Sequence, residues 1–366
     1  MRLPKFYERT VEERLQIIAS TANLSDEELS VLEQNTACSP KVENVISGYT
    51  LPLGIAPNFV INGKERLVPM AIEEASVIAG AAKAAKLCQG FEANVSSPIM
   101  TGQIILDKVP DMDKAIQTIK RHEPVLLSMA NDQDPILVKH GGGAKELEPN
   151  IVGQFLVFHL HVDVKDAMGA NAVNTMSEAI APLMEELTGG KARGAIITNL
   201  ALKRMVNVKG VWNKEAIGSE GIKAVLDLYQ LAKDDPARAV TNNKGIMNSI
   251  DAVAIATGND FRALEAGAHG YAGLNEGYQP LASYSLDKEG NLVGELRMPL
   301  AVGTVGGSTS HPMAKICRKI MGVTNARELA EVMASVGLAN NFAALLAIGT
   351  EGIQKGHMRL HKKVSQ

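Results

Sequence analysis

The stretch "GQFLVFHLHVDVKDAMGANAVNTMSEAIAPLMEELTGG", residues 153–190, decides the fold. Its first part, "GQFLVFHLHVDV", alternates strictly in its later half, as a half-buried strand does. The remainder, from "DAMGAN" onward, carries small and apolar residues at helical spacing and stops at paired glycines, the usual end of a helix. A strand ("TGQIILDKV"), a helical stretch from about Asp111 to Asn131 and a second strand ("GAKELEP") precede it, and "RGAIITNL" closes it with a last strand. The order β-α-β-β-α-β is that of a ferredoxin-like plait. It occupies residues 99–199, with chain of a different pattern on both sides. The expectation is an α+β protein whose small domain, 99–199, is inserted into a discontinuous larger domain, 1–98 and 200–355.

Outward from this core, residues 7–36 read as two helices. In "LSDEELSVL", Ser25 with Glu28 three places on forms a capping box. Residues 43–68 read as extended, and Pro69 then introduces an Ala-rich helix over "MAIEEASVIAGAAKAAKLCQG". Beyond residue 200, "EGIKAVLDLYQLAKDD" and "ARELAEVMASVGLANNFAALLAIGTEGIQKGHM" read as helices, and "NLVGELRMPLAVGTVGG" as a strand with a glycine loop. The run "TNNKGIMNSIDAVAIATGND", 241–260, reads as a polar loop running into a buried segment, with Lys244 at its lip and Asp260 sixteen positions on.

Composition narrows the function. Among 366 residues, 46% are apolar and 21% charged, and the net charge of −3 gives no pull toward nucleic acid or an anionic membrane. Cys38, Cys88 and Cys317 are far apart and form no CxxC or Cys/His cluster, so reduced thiols are expected and no metal site. The N-terminus lacks the apolar core of a signal peptide, and no window reads as a membrane span. The expectation is a soluble, cytoplasmic protein.

GxGxxG after a strand, GxxxxGK[ST], GxSxG and HExxH are all absent, which removes the usual dinucleotide, nucleotide and hydrolase signatures. "DAMGAN", 166–171, opens a helix after a strand. Free N–H groups there would suit a pyrophosphate, and a tight helix–sheet contact explains the same residues. "VGTVGGSTSHP", 302–312, is a second glycine loop, able to wrap a ligand or simply to turn. His159 and His161 share a strand face and read as a packed or exposed pair. Glu73 and Glu74 read as the opening of a helix, where the dipole favours carboxylates. The one turned toward apolar neighbours would keep its proton more readily and could donate it. Lys244 alone reads as solvated, but beside a carboxylate it could stabilise an oxyanion.

Taken in order, "ENVISGYTLPLGIAPNFVING", "VPMAIEEASVIAG", "VDVKDAMGANAVNTMSEAIAPLM", "NNKGIMNSIDAVAIATGNDFRALEAGAHGYA", "MPLAVGTVGG" and "TEGIQKGHM" resemble the class II 3-hydroxy-3-methylglutaryl-CoA (HMG-CoA) reductases over nearly the whole chain. The resemblance implies four-electron reduction of HMG-CoA to mevalonate and CoA with two NAD(P)H, or the reverse. It implies Glu74 as the acid, Lys244 as the oxyanion holder paired with Asp260, and His357 as proton donor to the leaving thiolate. Ser76, Arg238 and Asn248 would contact the HMG portion. Asp166, Met168, Gly169 and Asn171 would lie at the pyrophosphate, and Asn199 near the nicotinamide. Asp134, counted back from the triple glycine 141–143, falls where NADH-using relatives meet the adenosine ribose, so NADH is expected over NADPH; a solvated loop aspartate is the plain alternative. The family is an obligate dimer with active sites at the subunit boundary, so a homodimer or an assembly of dimers is expected, with no nucleic acid or membrane partner.

Two departures stand out. The family reads glycine where Ser47 stands, with Gly48 following. Relatives also continue beyond the catalytic histidine as a lid, of which 356–366 would be the start, whereas this sequence ends nine residues after His357. A lidless binding or regulatory relative is the rival reading.

Overall fold

The structure is a computed structural model that describes residues 3–35, 42–275, 277–350 and 352. It divides into two compact units, Met1–Pro52 and Leu53–Gln366. The first holds α1 (Val11–Ala22) and α2 (Asp26–Glu33). Both start with a capping box, Thr10 with Glu13 and Ser25 with Glu28. Each box satisfies two N–H groups that a helix otherwise leaves bare. The Ser47 hydroxyl donates to the Leu32 carbonyl at 2.7 Å within the same unit.

The second unit runs β1 (Leu53–Ile61), β2 (Lys64–Ala71), α3 (Val77–Leu87), β3 (Cys88–Val95), β4 (Ile99–Asp107), α4 (Met112–Asn131), α5 (Pro135–Lys139), β5 (Gly143–Val152), β6 (Phe155–Asp163), α6 (Ala170–Thr188), β7 (Lys191–Ile197) and β8 (Met205–Trp212). It continues with α7 (Lys214–Asp234), α8 (Pro236–Ala256), α9 (Phe261–Ala272), β9 (Ala282–Leu286), β10 (Leu292–Pro299), α10 (Pro312–Met321) and α11 (Ala326–Thr350). Two sheets result, ordered β5-β6-β4-β7 and β2-β1-β3-β8-β10-β9. The four-stranded sheet is antiparallel throughout and has the strand order of the plait. It is threaded between β3 and β8, which are bonded neighbours in the larger sheet.

Each sheet has its own core. Leu156, Phe158, Leu160 and Val162 alternate along β6 onto Ile119 and Leu126 of α4 and Val173, Met176 and Ile180 of α6. In the larger sheet the core centres on α11 and Trp212, whose ring stacks on Phe342 at 4.1 Å and whose indole N–H donates to the Ala84 carbonyl at 3.0 Å. Small residues set the helix spacing. A Cβ on Gly337 of α11 would lie 2.9 Å from Ile250 of α8, so a larger residue there would have to push the Ile250 side chain aside.

Several expectations need correction. Pro69 does not introduce a helix. It belongs to β2, an edge strand, where a residue with no N–H to donate is tolerated. The helix starts only at Val77, so Glu73 and Glu74 lie in the preceding loop and not in a first turn. The run 241–256 is not a polar loop but the body of α8. Asn242 and Asn243 stay helical because their amides are bonded into the core, to Asn341 and to the backbone of Gln279 and Leu281. Strands β3, β8 and β9 and the short α5 were not anticipated. Finally, α11 is long and apolar enough to span a membrane by length and composition, contrary to the reading of the sequence. Within that window 67% is buried inside the chain, which makes it a core helix here.

Candidate active site

Three of the expected residues meet. Lys244 and Asn248 lie one turn apart on α8, and both reach Glu74, which the loop before α3 delivers from 170 positions away. Lys244 Nζ stands 3.2 Å from Glu74 Oε2, and Asn248 Nδ2 donates to the same oxygen at 3.3 Å. The pair is open to solvent, with side chains 59% and 40% exposed, so Glu74 is not sunk among apolar neighbours as its sequence suggested. An open ion pair of this kind contributes little to stability. Its interest lies in the chemistry it presents: an ammonium and a carboxyl at one point on the surface of a rigid helix.

Two of the other expected residues carry buried polar atoms with nothing to bond. Ser76 sits in the left-handed region at φ 76°, a conformation that L side chains seldom adopt, and turns a buried hydroxyl that has no partner. Arg238, in the first turn of α8, carries a buried Nε that also lacks an acceptor. Burial holds its guanidinium below the usual range, against the opposing pull of Asp235. A serine hydroxyl and an arginine Nε without partners are features a bound hydroxy-acid would satisfy.

The expected Lys244–Asp260 pair is not made within the chain. Asp260 is the N-cap of α9. Its Oδ1 accepts from the Arg262 and Ala263 N–H groups at 3.1 and 3.3 Å and meets the Arg262 guanidinium at 3.0 Å. His357 lies outside the described residues.

"DAMGAN" forms a braced turn. Gly169, left-handed at φ 97°, precedes α6 with no side-chain cap, and a Cβ there would strike Val164. The glycine loop presses on the turn from the other side, since a Cβ on Gly303 would lie 2.5 Å from the Met168 nitrogen. Asp166 caps α11 through Ala326 N–H at 2.8 Å, and its carbonyl accepts from Thr304 N–H at 2.8 Å. The tight contact of the plain reading is present, and the first turn of α6 carries no side-chain cap. Asn171 is exposed in that turn, and Asn199 is exposed beyond β7.

Beneath the turn lies Arg204, which the sequence did not single out. It is 3% exposed and donates to the carbonyls of Ala167 (3.0 Å), Met168 (3.4 Å) and Val302. Burial pulls its guanidinium down to about 10, with Asp166 and Asp163 opposing. A buried cation bonded mainly to neutral carbonyls adds positive potential under the α6 N-terminus. A cavity of about 280 Å³ adjoins, lined among others by Lys165, Asp166, Arg204 and Arg327. Anionic phosphate fits these surroundings. Asp134 proves to be the N-cap of α5, its Oδ1 accepting from Leu137 N–H at 2.9 Å. The histidine pair is occupied as well. His161 bonds Thr101 and Glu148, both at 2.9 Å, and His159 bonds Gln103 and Asn150 at 3.1 and 3.2 Å.

Comparison with known proteins identifies the family. Residues 10–362 match the hydroxymethylglutaryl-coenzyme A reductase family. The 3-hydroxy-3-methylglutaryl-coenzyme A reductase of Archaeoglobus fulgidus is 50% identical over 99% of this chain and 86% of its own length. A probable enzyme of the same name from Borreliella burgdorferi is 36% identical over 99% and 86%. Among solved structures, the class II reductase of Streptococcus pneumoniae bound to NADPH in open conformations superposes with a TM-score of 0.84 at 38% identity, covering 95% of this chain and 100% of that one.

Proposed function

The chain belongs to the class II HMG-CoA reductases, and from that premise we propose how its own residues carry out the conversion of HMG-CoA to mevalonate. The balanced reaction is HMG-CoA plus two NAD(P)H and two protons giving mevalonate, CoA and two NAD(P)⁺. The nicotinamide, when bound, supplies hydride. Lys244 holds the thioester oxygen as it becomes an oxyanion in the hemithioacetal, and again as the aldehyde is reduced. Glu74 delivers the proton that this oxygen finally takes. Asn248 fixes the Glu74 carboxyl, Arg238 binds the HMG carboxylate through a forked cation, and Ser76 offers its free hydroxyl. His357 is assigned the proton for the departing thiolate on the resemblance alone. The single observation that carries the reading is the convergence of Lys244 and Asn248 on one oxygen of Glu74.

The insert 99–199 is assigned the nucleotide, with the uncapped α6 turn at its pyrophosphate, Asp166, Met168, Gly169 and Asn171 around it and Asn199 toward the nicotinamide. The remainder, 1–98 and 200–355, is assigned CoA and HMG binding. Asp134 is assigned the adenosine ribose, where a carboxylate accepts from a 2′-OH and repels a 2′-phosphate, favouring NADH. A homodimer in the cytoplasm completes the proposal. Val240 and Ile255 are 48% and 38% exposed along the α8 face that carries Lys244, as an interface would require. In such a dimer Asp260 of the partner subunit can supply the second carboxylate that Lys244, already beside Glu74 of its own chain, would need.

The test is stoichiometry. Loss of absorbance at the reduced-nicotinamide band is followed together with thiol release on addition of HMG-CoA. Two nicotinamides oxidised per CoA released supports the reductase; CoA release without nicotinamide oxidation refutes it.

A further inference from the structure

Four buried side-chain polar atoms among the described residues have no hydrogen-bond partner. Two belong to Ser76 and Arg238, and a third, Ser177 Oγ, lies under Gly102 of β4. The fourth is Asp251 Oδ1. Asp251 lies on α8, three residues after Asn248 and seven after Lys244, so it repeats on the same helical face. No N–H or O–H reaches that oxygen. The side chain that its carboxyl meets at hydrogen-bond range is Glu265 of α9, another carboxyl. Two acceptors can be joined only through a proton that one of them carries.

The neighbours decide which one. Asn243 is oriented by the backbone: its Oδ1 accepts from Leu281 N–H at 2.9 Å, and its Nδ2 donates to the Gln279 carbonyl at 2.9 Å. The same Nδ2 donates to the Tyr278 hydroxyl at 3.1 Å. That hydroxyl, which burial keeps protonated, therefore gives its hydrogen to His269 Nδ1, 2.5 Å away. His269 then presents Nε2–H to Glu265 Oε2 at 2.7 Å. Glu265 is the acceptor at its end of the chain, and the proton between the carboxyls sits on Asp251. The order of donation, Asn243 to Tyr278 to His269 to Glu265, has one direction and ends on a carboxylate that asks Asp251 for a hydrogen.

We propose that Asp251 is a positioning residue. Its proton ties α8, which carries Lys244, to α9, which Asp260 caps, and loss of that proton sets the alkaline limit of turnover. The proposal rests on the active-site reading above. With the proton gone, two facing carboxylates repel, α9 moves off α8, and the Asp260 cap moves with it. Glu265 and His269 are about one-third exposed, at 33% and 37%, so water has access to the chain. The charged and titratable groups facing Asp251 are Glu265 from α9, backed by His269 and by Tyr278 of the following loop, with Lys244 two turns earlier on its own helix. The strand β2 and helices α3, α7, α10 and α11 also pack on α8, and the charged group that shifts the Asp251 carboxyl is Glu265. Consistent with this, burial first and Glu265 second raise Asp251 from 3.8 to about 8. The raised value means that the bound proton favours the folded state at low pH, and that this contribution disappears as pH rises through about 8.

The experiment compares D251A, D251N and E265Q with the wild type across pH in the intact enzyme. D251A should lower kcat with both KM values held, and D251N, whose amide can give Glu265 the same hydrogen, should restore it. In the wild type kcat should fall as pH rises through about 8, to which burial and Glu265 raise the Asp251 carboxyl; D251N should lack that limb. E265Q replaces the facing carboxylate with an amide that can donate to Asp251, so no repulsion follows when the proton leaves, and it should also lack that limb. Difference infrared spectroscopy reads the group without turnover. A protonated-carboxyl band should persist at neutral pH in the wild type, bleach over the same range, and be missing from D251N. An unaltered alkaline limb in D251N, or no such band in the wild type at neutral pH, overturns the proposal. The infrared band does not depend on catalysis, so a failed Lys244 assignment would leave it in place, and the two failures can be told apart.

Discussion

Arg204 offers the most calculable perturbation, because nearly all of its environment is visible. Arg204→Met keeps the length of the side chain and removes its donors. Three carbonyls, those of Ala167, Met168 and Val302, then lose their partners in a site that is 3% exposed. At about 1.5–3 kcal/mol for each hydrogen bond from a charged group, the gross loss is about 5–9 kcal/mol. Against this stands the burial of the guanidinium. Its fall from 12.5 to about 10 corresponds to about 3 kcal/mol recovered when the charge is removed. The difference, about 2–6 kcal/mol, is the destabilisation expected in equilibrium unfolding by denaturant. Because the released carbonyls belong to the "DAMGAN" turn and the glycine loop, the same variant should raise KM for the nicotinamide by about tenfold or more, a further 1.4 kcal/mol. KM for HMG-CoA should stay close to wild type. Arg204→Lys keeps the charge but cannot fork across three acceptors, and should fall between the two. A variant that unfolds within about 0.5 kcal/mol of wild type, the range of ordinary surface substitutions, and binds the nicotinamide normally would refute the reasoning.

Two further outcomes follow from the site. Inactive Lys244→Ala and Asp260→Ala chains, mixed and allowed to exchange subunits, should regain about a quarter of wild-type activity, since half the dimers would be mixed and each would hold one intact site of two; no recovery would place both residues in one subunit's site. Asp134→Ala should raise kcat/KM with NADPH relative to NADH by about an order of magnitude, since a repulsive carboxylate has been removed. Because Asp134 also caps α5, thermal unfolding of the variant is measured alongside, and an unaltered cofactor ratio removes it from cofactor choice.

The plait could be read from the chain because its strands alternate and its helices are bounded by Asp111 at one start and Gly189 at one end. Those are local signals, and local signals survive in sequence. The larger sheet was hidden for the opposite reason. Strands β3 and β8 are separated by the whole insert, and neither carries a turn signal to announce the other. Lys244 was misplaced in a loop because Asn242 and Asn243 are poor helix formers, and their compensation comes from Asn341, Gln279 and Leu281, distant along the chain. Glu74, Lys244 and Asn248 were named from family resemblance, and their meeting was invisible to periodicity. Arg204 and Asp251 escaped notice altogether. A buried arginine bonded to carbonyls and an aspartate facing a glutamate leave no spacing in sequence by which to find them.

The account depends most on Lys244 as the holder of the thioester oxygen. The direct measurement is single-turnover oxidation of enzyme-bound nicotinamide by HMG-CoA in Lys244→Ala, with binding of the CoA thioester measured separately by calorimetry. The expected result is a hydride-transfer rate lower by about 10²–10³-fold, the cost of removing one oxyanion donor, with thioester affinity close to wild type. A variant that binds the thioester and transfers hydride at most of the wild-type rate would contradict the account.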